Sequence, residues 1–228
     1  MRYGDDFIYK SLTNEQLSYL YGLFITDGYI SKMSEGKQGQ EYYRLGIELK
    51  EKDKDILEKI LQLLPDGHIY QRTRNTNFKE NYICYSFNYY KLDFISWLIK
   101  QGFPLENKTE NAAPPNWNYD ENAFWRGVID GDGSIGFTKV KNKWQYPYLS
   151  LTTKSEKLKE AFHSYLLKTI NFNEKNHRNK RDNIYNIKLI NKRCLDFCRN
   201  IYKNNTIYLN RKYNKYLEIL EWEKKENE

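Results

Sequence analysis

The sequence predicts an α+β fold of two pseudo-symmetric halves, each ordered α-β-β-α-β-β-α, with antiparallel sheets forming a saddle and helices packed behind it. Three observations carry this. First, the chain of 228 residues repeats itself. Leu20-Tyr-Gly-Leu-Phe-Ile-Thr-Asp27-Gly28 corresponds to Trp125-Arg-Gly-Val-Ile-Asp-Gly-Asp132-Gly133, Leu45-Gly-Ile-Glu-Leu49 to Leu149-Ser-Leu-Thr-Thr153, Leu92-Asp-Phe94 to Leu195-Asp-Phe197 and Lys108 to Lys212, in one order and at offsets of 103 to 105. Second, each half alternates between period-2 and helical patterning. Third, Gly22 and Thr26, and again Gly127 and Gly131, form small-residue stripes that let two helix backbones approach closely.

The elements follow in order. Thr13-Asn-Glu-Gln16 is a capping box, with Leu12 and Leu17 placed as a hydrophobic staple. It opens a helix that ends near Asp27-Gly28, where glycine supplies the C-terminal stop. Strands are expected around Tyr29 to Met33 and Tyr42 to Lys50. In the second, Leu45, Ile47 and Leu49 alternate with Arg44, Gly46, Glu48 and Lys50, the pattern of a sheet covered on one face. Ile56, Leu57, Ile60, Leu61 and Leu64 recur at helical spacing. Strands near Ile69 to Arg74 and Tyr82 to Asn88 come next, then a helix from about Lys91 to Gln101. Residues 1–111 make the first repeat and 112–119, around Ala112-Ala-Pro-Pro115, the linker. Residues 120–228 make the second repeat, with a further helix from about Asn210.

Composition narrows the function. No apolar run approaches the roughly 18 to 20 residues of a membrane span, and the start is not a signal peptide. Cys84, Cys194 and Cys198 are too few for a disulfide framework, so a reducing, intracellular setting is expected. The spacing of Cys194 and Cys198 suits one helix face better than a zinc knuckle. Asn, Lys, Ile and Tyr supply 91 residues and Ala four. That bias toward A/T-rich codons suggests a phage, a low-GC bacterium or an organelle. The net charge of +7 is uneven: residues 1–110 carry −1 and residues 111–228 carry +8. A basic chain rich in Tyr, Asn and Arg suits a nucleic-acid partner.

The paired helices bring Asp27 and Asp132 together at their C-terminal ends. This placement opposes both macrodipoles and sets like charges side by side. Oxygen donors without His or Cys suit Mg²⁺, Mn²⁺ or Ca²⁺ rather than zinc. No nucleotide-binding glycine loop or Ser-His-Asp arrangement supports a small-molecule enzyme.

Leu20 to Gly28 and Trp125 to Gly133 resemble the two copies of the motif that names the LAGLIDADG homing endonucleases. The blocks Leu45 to Asp53, Gly102 to Lys108 and Tyr208 to Tyr213 fit as well. The resemblance spans about residues 12 to 217 and implies a monomeric, double-motif enzyme that cuts both strands of a long, asymmetric DNA site. With no splicing-domain sequence around it, the chain is similar to the free-standing, intron-encoded type. Residue by residue, the resemblance implies that Asp27 and Asp132, with the terminal Gly28 and Gly133, bind the catalytic metals, and that Lys108 and Lys212 join the two acids as catalytic residues. The cofactor implied is Mg²⁺, with Mn²⁺ an alternative and Ca²⁺ supporting binding without efficient cutting. Departures lie at the second motif position, Tyr21 and Arg126, and at the sixth, Ile25 and Asp130. Asp130 is read as a local cap or salt bridge.

Double-stranded DNA would lie along the polar sheet faces. Alternation nominates Tyr29, Ser31 and Met33, then Arg44, Glu48 and Lys50, and in the second half Ser134 and Thr138. In later strands the choice is Gln71 or Arg72, with Arg74, Asn186 and Lys188. The loop His177 to Arg181, with Arg178, Lys180 and Arg181, is expected to clamp the backbone. No membrane and no obligate protein partner is expected. The competing reading is an intron-splicing maturase or a non-cleaving DNA-binding protein of the same fold.

Overall fold

The computed structural model describes residues 11–35, 41–76, 79–140, 144–174, 177–179 and 181–226; Lys180, expected in the clamp, lies outside them. In the first half, helix α1 (Asn14–Thr26) leads into β1 (Gly28–Glu35) and β2 (Glu41–Lys50), then through a 3-10 turn into α2 (Lys54–Leu63). Strands β3 (His68–Thr76) and β4 (Lys79–Tyr89) follow, then α3 (Leu92–Lys100) and the short α4 (Lys108–Asn111). The second half runs α5 (Glu121–Asp132), β5 (Gly133–Val140), β6 (Trp144–Thr153), α6 (Glu156–Ile170), β7 (Tyr185–Ile190), α7 (Asn191–Ile201) and α8 (Asn210–Glu226). The sheets are antiparallel, ordered β1-β2-β4-β3 and β5-β6-β7.

The second half departs from the expected order by one strand. Among the described residues between α6 and β7 none forms a strand. That stretch is rich in asparagine and lacks apolar alternation. Asn171 and Asn183 adopt left-handed backbone, and Asn179 and Ile184 close a local turn through an N–H···O bond of 2.7 Å. Among its described residues, Phe172 anchors it in the core.

The capping box at the start of α1 is formed: Gln16 N–H donates to Thr13 Oγ1 (3.2 Å) and Thr13 N–H to Gln16 Oε1 (2.9 Å). Asp120 caps α5, accepting Ala123 N–H at 3.0 Å. Helices α1 and α5 cross at the glycine stripe. A methyl group at Gly22 would fall on the Phe124 carbonyl oxygen, and one at Gly127 on that of Tyr19, with Leu23 N at 2.8 Å. One apolar core runs through both halves, with Leu45, Ile47 and Phe87 from the first sheet and Leu149, Leu151 and Ile187 from the second. Cys194 and Cys198 lie within it on α7.

Residues 112–120 contain no helix or strand, yet they are fastened down. Asn116 N–H donates to Gln101 O (3.0 Å), Trp117 Nε1–H to Asn14 Oδ1 (3.1 Å) and Asp120 N–H to Ser18 Oγ (2.9 Å). The Trp117 ring sits 5.4 Å from Tyr21 and 4.8 Å from Trp97, centroid to centroid. Among the described residues no helix is long and apolar enough to cross a membrane.

Candidate active site

The close crossing of α1 and α5 continues to their C-terminal ends. Asp27 caps α1, its N–H donating to Leu23 O at 3.0 Å, and Asp132 is the last residue of α5. A methyl group at Gly131 would collide with the Thr26 side chain and lie 3.4 Å from Asp27 Oδ2, so Asp27 borders the final turn of α5. Burial, then the charge of Asp132, pushes the Asp27 carboxyl up to about 6 against the pull of Lys212 and Lys108. Burial also raises Asp132, which Lys108 and Lys212 draw down.

Gly28 and Gly133 play a different part from the helix stop expected of them. Gly102 is the one glycine with positive φ among the described residues, and Gly133 is extended at φ −80°. Glycine is required for space: each strand turns back so tightly that a methyl group would sit 2.8 Å from the Phe24 carbonyl oxygen at Gly28, and 2.6 Å from that of Ile129 at Gly133.

The two lysines are seated on those same helix ends. Lys108 Nζ donates to the carbonyls of Thr26 and Gly28, the latter at 2.5 Å. Lys212 Nζ donates to Ile129 O (2.5 Å), Asp130 O (2.7 Å), Gly131 O (3.2 Å) and Gly133 O (2.7 Å). Each ammonium thus takes up orphan carbonyls where a macrodipole is most negative. The Gly28 and Gly133 carbonyls, expected among the metal donors, accept from lysine. Lys212 is 3% exposed, and burial draws its ammonium down to about 8. Burial lowers Lys108 too, against the pull of Asp132 and Asp27.

Behind α5 lies a polar network that links the halves. Asp130 Oδ2 accepts from Tyr19 O–H (2.7 Å) and Leu209 N–H (2.8 Å), so Asp130 bridges α1 to the start of α8. Arg126, 1% exposed, donates to Ile207 O (2.8 Å), Ile201 O (2.6 Å) and the Glu15 carboxylate. Nothing in the nine-residue motif signals these bonds, because their partners lie 75 to 111 positions away.

The open faces of the sheets carry most of the residues nominated for contact. Pairing across β1, β2, β4 and β3 puts Tyr29, Ser31, Arg44, Glu48, Lys50, Arg72 and Arg74 on one face. The register resolves the choice between Gln71 and Arg72: Gln71 shares a face with Tyr85, whose hydroxyl donates to it at 3.1 Å. Met33, at the register shift between Lys32 and Ser34 in β1, is exposed. The Tyr29 ring covers Gly46, with the Arg44 guanidinium 5.3 Å from its centroid. Glu48 accepts from Arg74 (3.0 Å) and Ser86 (2.9 Å) and lies 3.7 Å from Arg72, so it holds two of the nominated cations. On the second sheet Ser134, Thr138, Asn186 and Lys188 share the open face with Tyr148, Ser150 and Thr152. Alternation around Tyr148 was the available signal for these added residues. Tyr148 lies under Lys188, 5.1 Å from ring centroid to ammonium, and its hydroxyl is 3.2 Å from Ser134 Oγ. In the clamp loop, Arg178 lies over the Tyr185 ring at 4.9 Å, and Arg181 is paired with Asp182 through bonds of 2.7 and 2.8 Å.

The model of the LAGLIDADG-like domain matches residues 14–93 and again 120–215. The chain belongs to the LAGLIDADG family. The family's homing endonucleases are DNA-cleaving nucleases.

Solved structures with the same fold include the homing endonuclease I-WcaI bound to its DNA recognition sequence, at 21% identity and a TM-score of 0.62, covering 95% of both chains. The LAGLIDADG meganuclease I-AabMI bound to uncleaved DNA aligns at 14% identity and a TM-score of 0.56, covering 94% of this chain and 92% of its own. I-SmaMI bound to an uncleaved DNA target in the presence of calcium ions aligns at 13% identity and a TM-score of 0.60, covering 95% and 93%. No curated protein sequence matches the chain. Within this LAGLIDADG fold the motif acids Asp27 and Asp132 stand at the C-terminal ends of the two crossing helices.

Proposed function

We propose that the chain is a site-specific endonuclease that makes double-strand breaks in a long, asymmetric DNA site by metal-dependent phosphodiester hydrolysis, and that the break initiates intron homing. The observation that carries this reading is the pair of raised carboxylates at the crossed helix ends, set between two polar, cation-bearing sheet faces. Binding alone, as in a maturase or a regulator, has no need of that pair.

The donor set fits a hard divalent cation. Among the described residues no group of three or more His, Cys, Asp or Glu is placed to hold a metal; the motif offers a pair of carboxylates, and oxygen donors without nitrogen or sulfur suit Mg²⁺. Asp27 and Asp132 would hold the ion, which supplies charge neutralisation at phosphorus and a more acidic water. The chain does the rest. Lys108 and Lys212 keep the helix ends neutral, so two like charges persist side by side. The glycine stripe fixes the separation of the acids. Arg44, Arg72, Arg74 and Lys188 meet phosphates and base edges along the saddle. A single chain supplies both halves, which suits a monomer on a site of roughly two turns, about 20 base pairs. Its composition and free cysteines suit an intracellular setting with an A/T-rich genome, bacterial, phage-borne or organellar.

The reading is tested with a randomised duplex library incubated with Mg²⁺, followed by sequencing of the new ends. One recovered site cut on both strands is expected, with Ca²⁺ giving retention without cutting and EDTA giving neither. Full activity in excess EDTA would rule out this chemistry. Salt dependence tests the interface. Replacing Arg178, Lys180 and Arg181 with glutamine should flatten the slope of log K against log salt more than replacing Arg44, Arg72 and Arg74. Those three lie among the strands proposed to read bases, so their loss should shift sequence preference instead. Equal slopes would show that net charge per half does not map the phosphate contacts.

A further inference from the structure

Lys212 belongs to the second half, yet much of what holds its arm in place comes from the first. The arm is the backbone from Thr206 to Arg211, running into the first turn of α8. Glu15 accepts the Thr206 N–H at 3.2 Å and also its hydroxyl. Lys59 on α2 donates to Tyr208 O (2.6 Å) and Asn210 Oδ1 (2.7 Å), and Asp55 accepts Asn210 N–H at 3.0 Å. Asp53, buried just before α2, takes Arg211 in a two-pronged pair at 2.7 and 3.1 Å. Arg211 is the residue next to Lys212.

The other arm has no such pair. Before α6 the N-cap place that Asp53 holds before α2 is taken by Ser155, and the residue before Lys108 is Asn107, so no carboxylate–guanidinium contact can form there. The Lys108 arm is tied instead by Ser155, whose hydroxyl donates to Ala112 O at 2.5 Å, and it turns through left-handed Asn107.

We propose that the Asp53–Arg211 pair, reaching from the first half across to the second, is a positioning clamp for Lys212, and that it governs one of the two strand cuts separately from the other. The proposal rests on the endonuclease reading for its kinetic consequence and on geometry alone for the clamp. A bidentate pair fixes direction as well as distance. Losing it frees the backbone beside Lys212 and leaves the Lys108 arm tied as before.

The test uses the full chain and a duplex labelled separately on each strand. Asp53→Asn and Arg211→Gln should each shift the ratio of the two nicking rates at least tenfold and build up singly nicked duplex. The double variant should go no further, because both changes break one interaction. Arg211→Lys keeps the charge but loses the fork, so an intermediate shift is expected. Hydrogen exchange in metal-free protein gives a second readout: amides of Leu209 to Lys212 should exchange faster in Asp53→Asn, with those of Lys108 to Ala112 unchanged. Equal slowing of both strands, an unchanged ratio, additive single effects, or uniform acceleration of exchange would each overturn the clamp. If no variant or wild-type chain cuts any duplex, the endonuclease reading has failed, and the exchange pattern alone decides the clamp.

Discussion

Asp132→Asn is expected to leave the chain on its duplex and unable to cut it. The substitution keeps the shape of the side chain and removes the negative charge that recommends this position for a cation. Loss of several kcal/mol of transition-state stabilisation is expected, at least about 4 kcal/mol or 10³-fold in the rate of double-strand cleavage. Binding should change by no more than about threefold, since removing a carboxylate lessens its repulsion of phosphate. Filter binding in Ca²⁺ and single-turnover cleavage in Mg²⁺ separate the two effects. Strong loss of binding with an unchanged rate for bound duplex would place Asp132 in recognition rather than chemistry.

The Asp27 partner carries a pH signature. Its folded-state carboxyl lies at about 6 against an ordinary 3.8. A raised acid favours the protonated form on folding, so its ionisation costs stability as pH rises from about 4 to above 6. Metal-free Asp27→Asn should therefore be more stable than the parent at pH 8, by on the order of 1 kcal/mol. The gain should shrink as pH falls and vanish below about pH 3, where the carboxyl is protonated in the folded and the unfolded chain alike. Denaturant unfolding at the two pH values measures it. A gain that grows as pH falls would contradict the assignment.

The largest structural effect is expected at the helix crossing. Gly127→Ala places a methyl group on the Tyr19 carbonyl oxygen and near the Leu23 amide, and neither backbone group can rotate away. The two helices must separate, which opens the shared core and draws Asp27 from Asp132. A cost of about 3 kcal/mol is expected, a fall in Tm of roughly 6 to 12 °C for a chain of this size. Gly136→Ala is the control, because its nearest neighbour is the Tyr148 ring at 3.3 Å, a side chain with room to shift. Similar losses for both would show that the helix crossing tolerates the methyl group and that the glycine stripe does not set the approach.

The features legible in the sequence were those written in local spacing. The capping box at Thr13, the alternation of Leu45, Ile47 and Leu49, and the stripe of Gly22 and Gly127 each need only a few residues of context. The doubled nine-residue motif then brought Asp27 and Asp132 together. Features that depend on partners far along the chain left no periodic trace. Lys212 reads as an active-site lysine, but nothing in its neighbourhood along the chain signals the four carbonyls that surround it. Arg126, a departure from the motif at its second position, proves to be a buried tie to Glu15. Asp53 and Arg211 are 158 residues apart, and Ser155 and Asn107 stand in their places in the other repeat, so the internal symmetry that revealed the fold concealed the clamp. The lack of a strand among the described residues between α6 and Tyr185 was hidden for the same reason: the repeat argued for a strand where the asparagine-rich composition did not.

The central claim is that Asp27 and Asp132 together make this fold a nuclease. Plasmid carrying the site recovered from the library tests it most directly, incubated in Mg²⁺ with the parent chain and with the double variant Asp27→Asn/Asp132→Asn. Linear product is expected from the parent and none from the variant, with both proteins shifting the plasmid equally in Ca²⁺. Linear product from the double variant, stopped by EDTA as in the parent, would place the metal chemistry elsewhere and contradict the account.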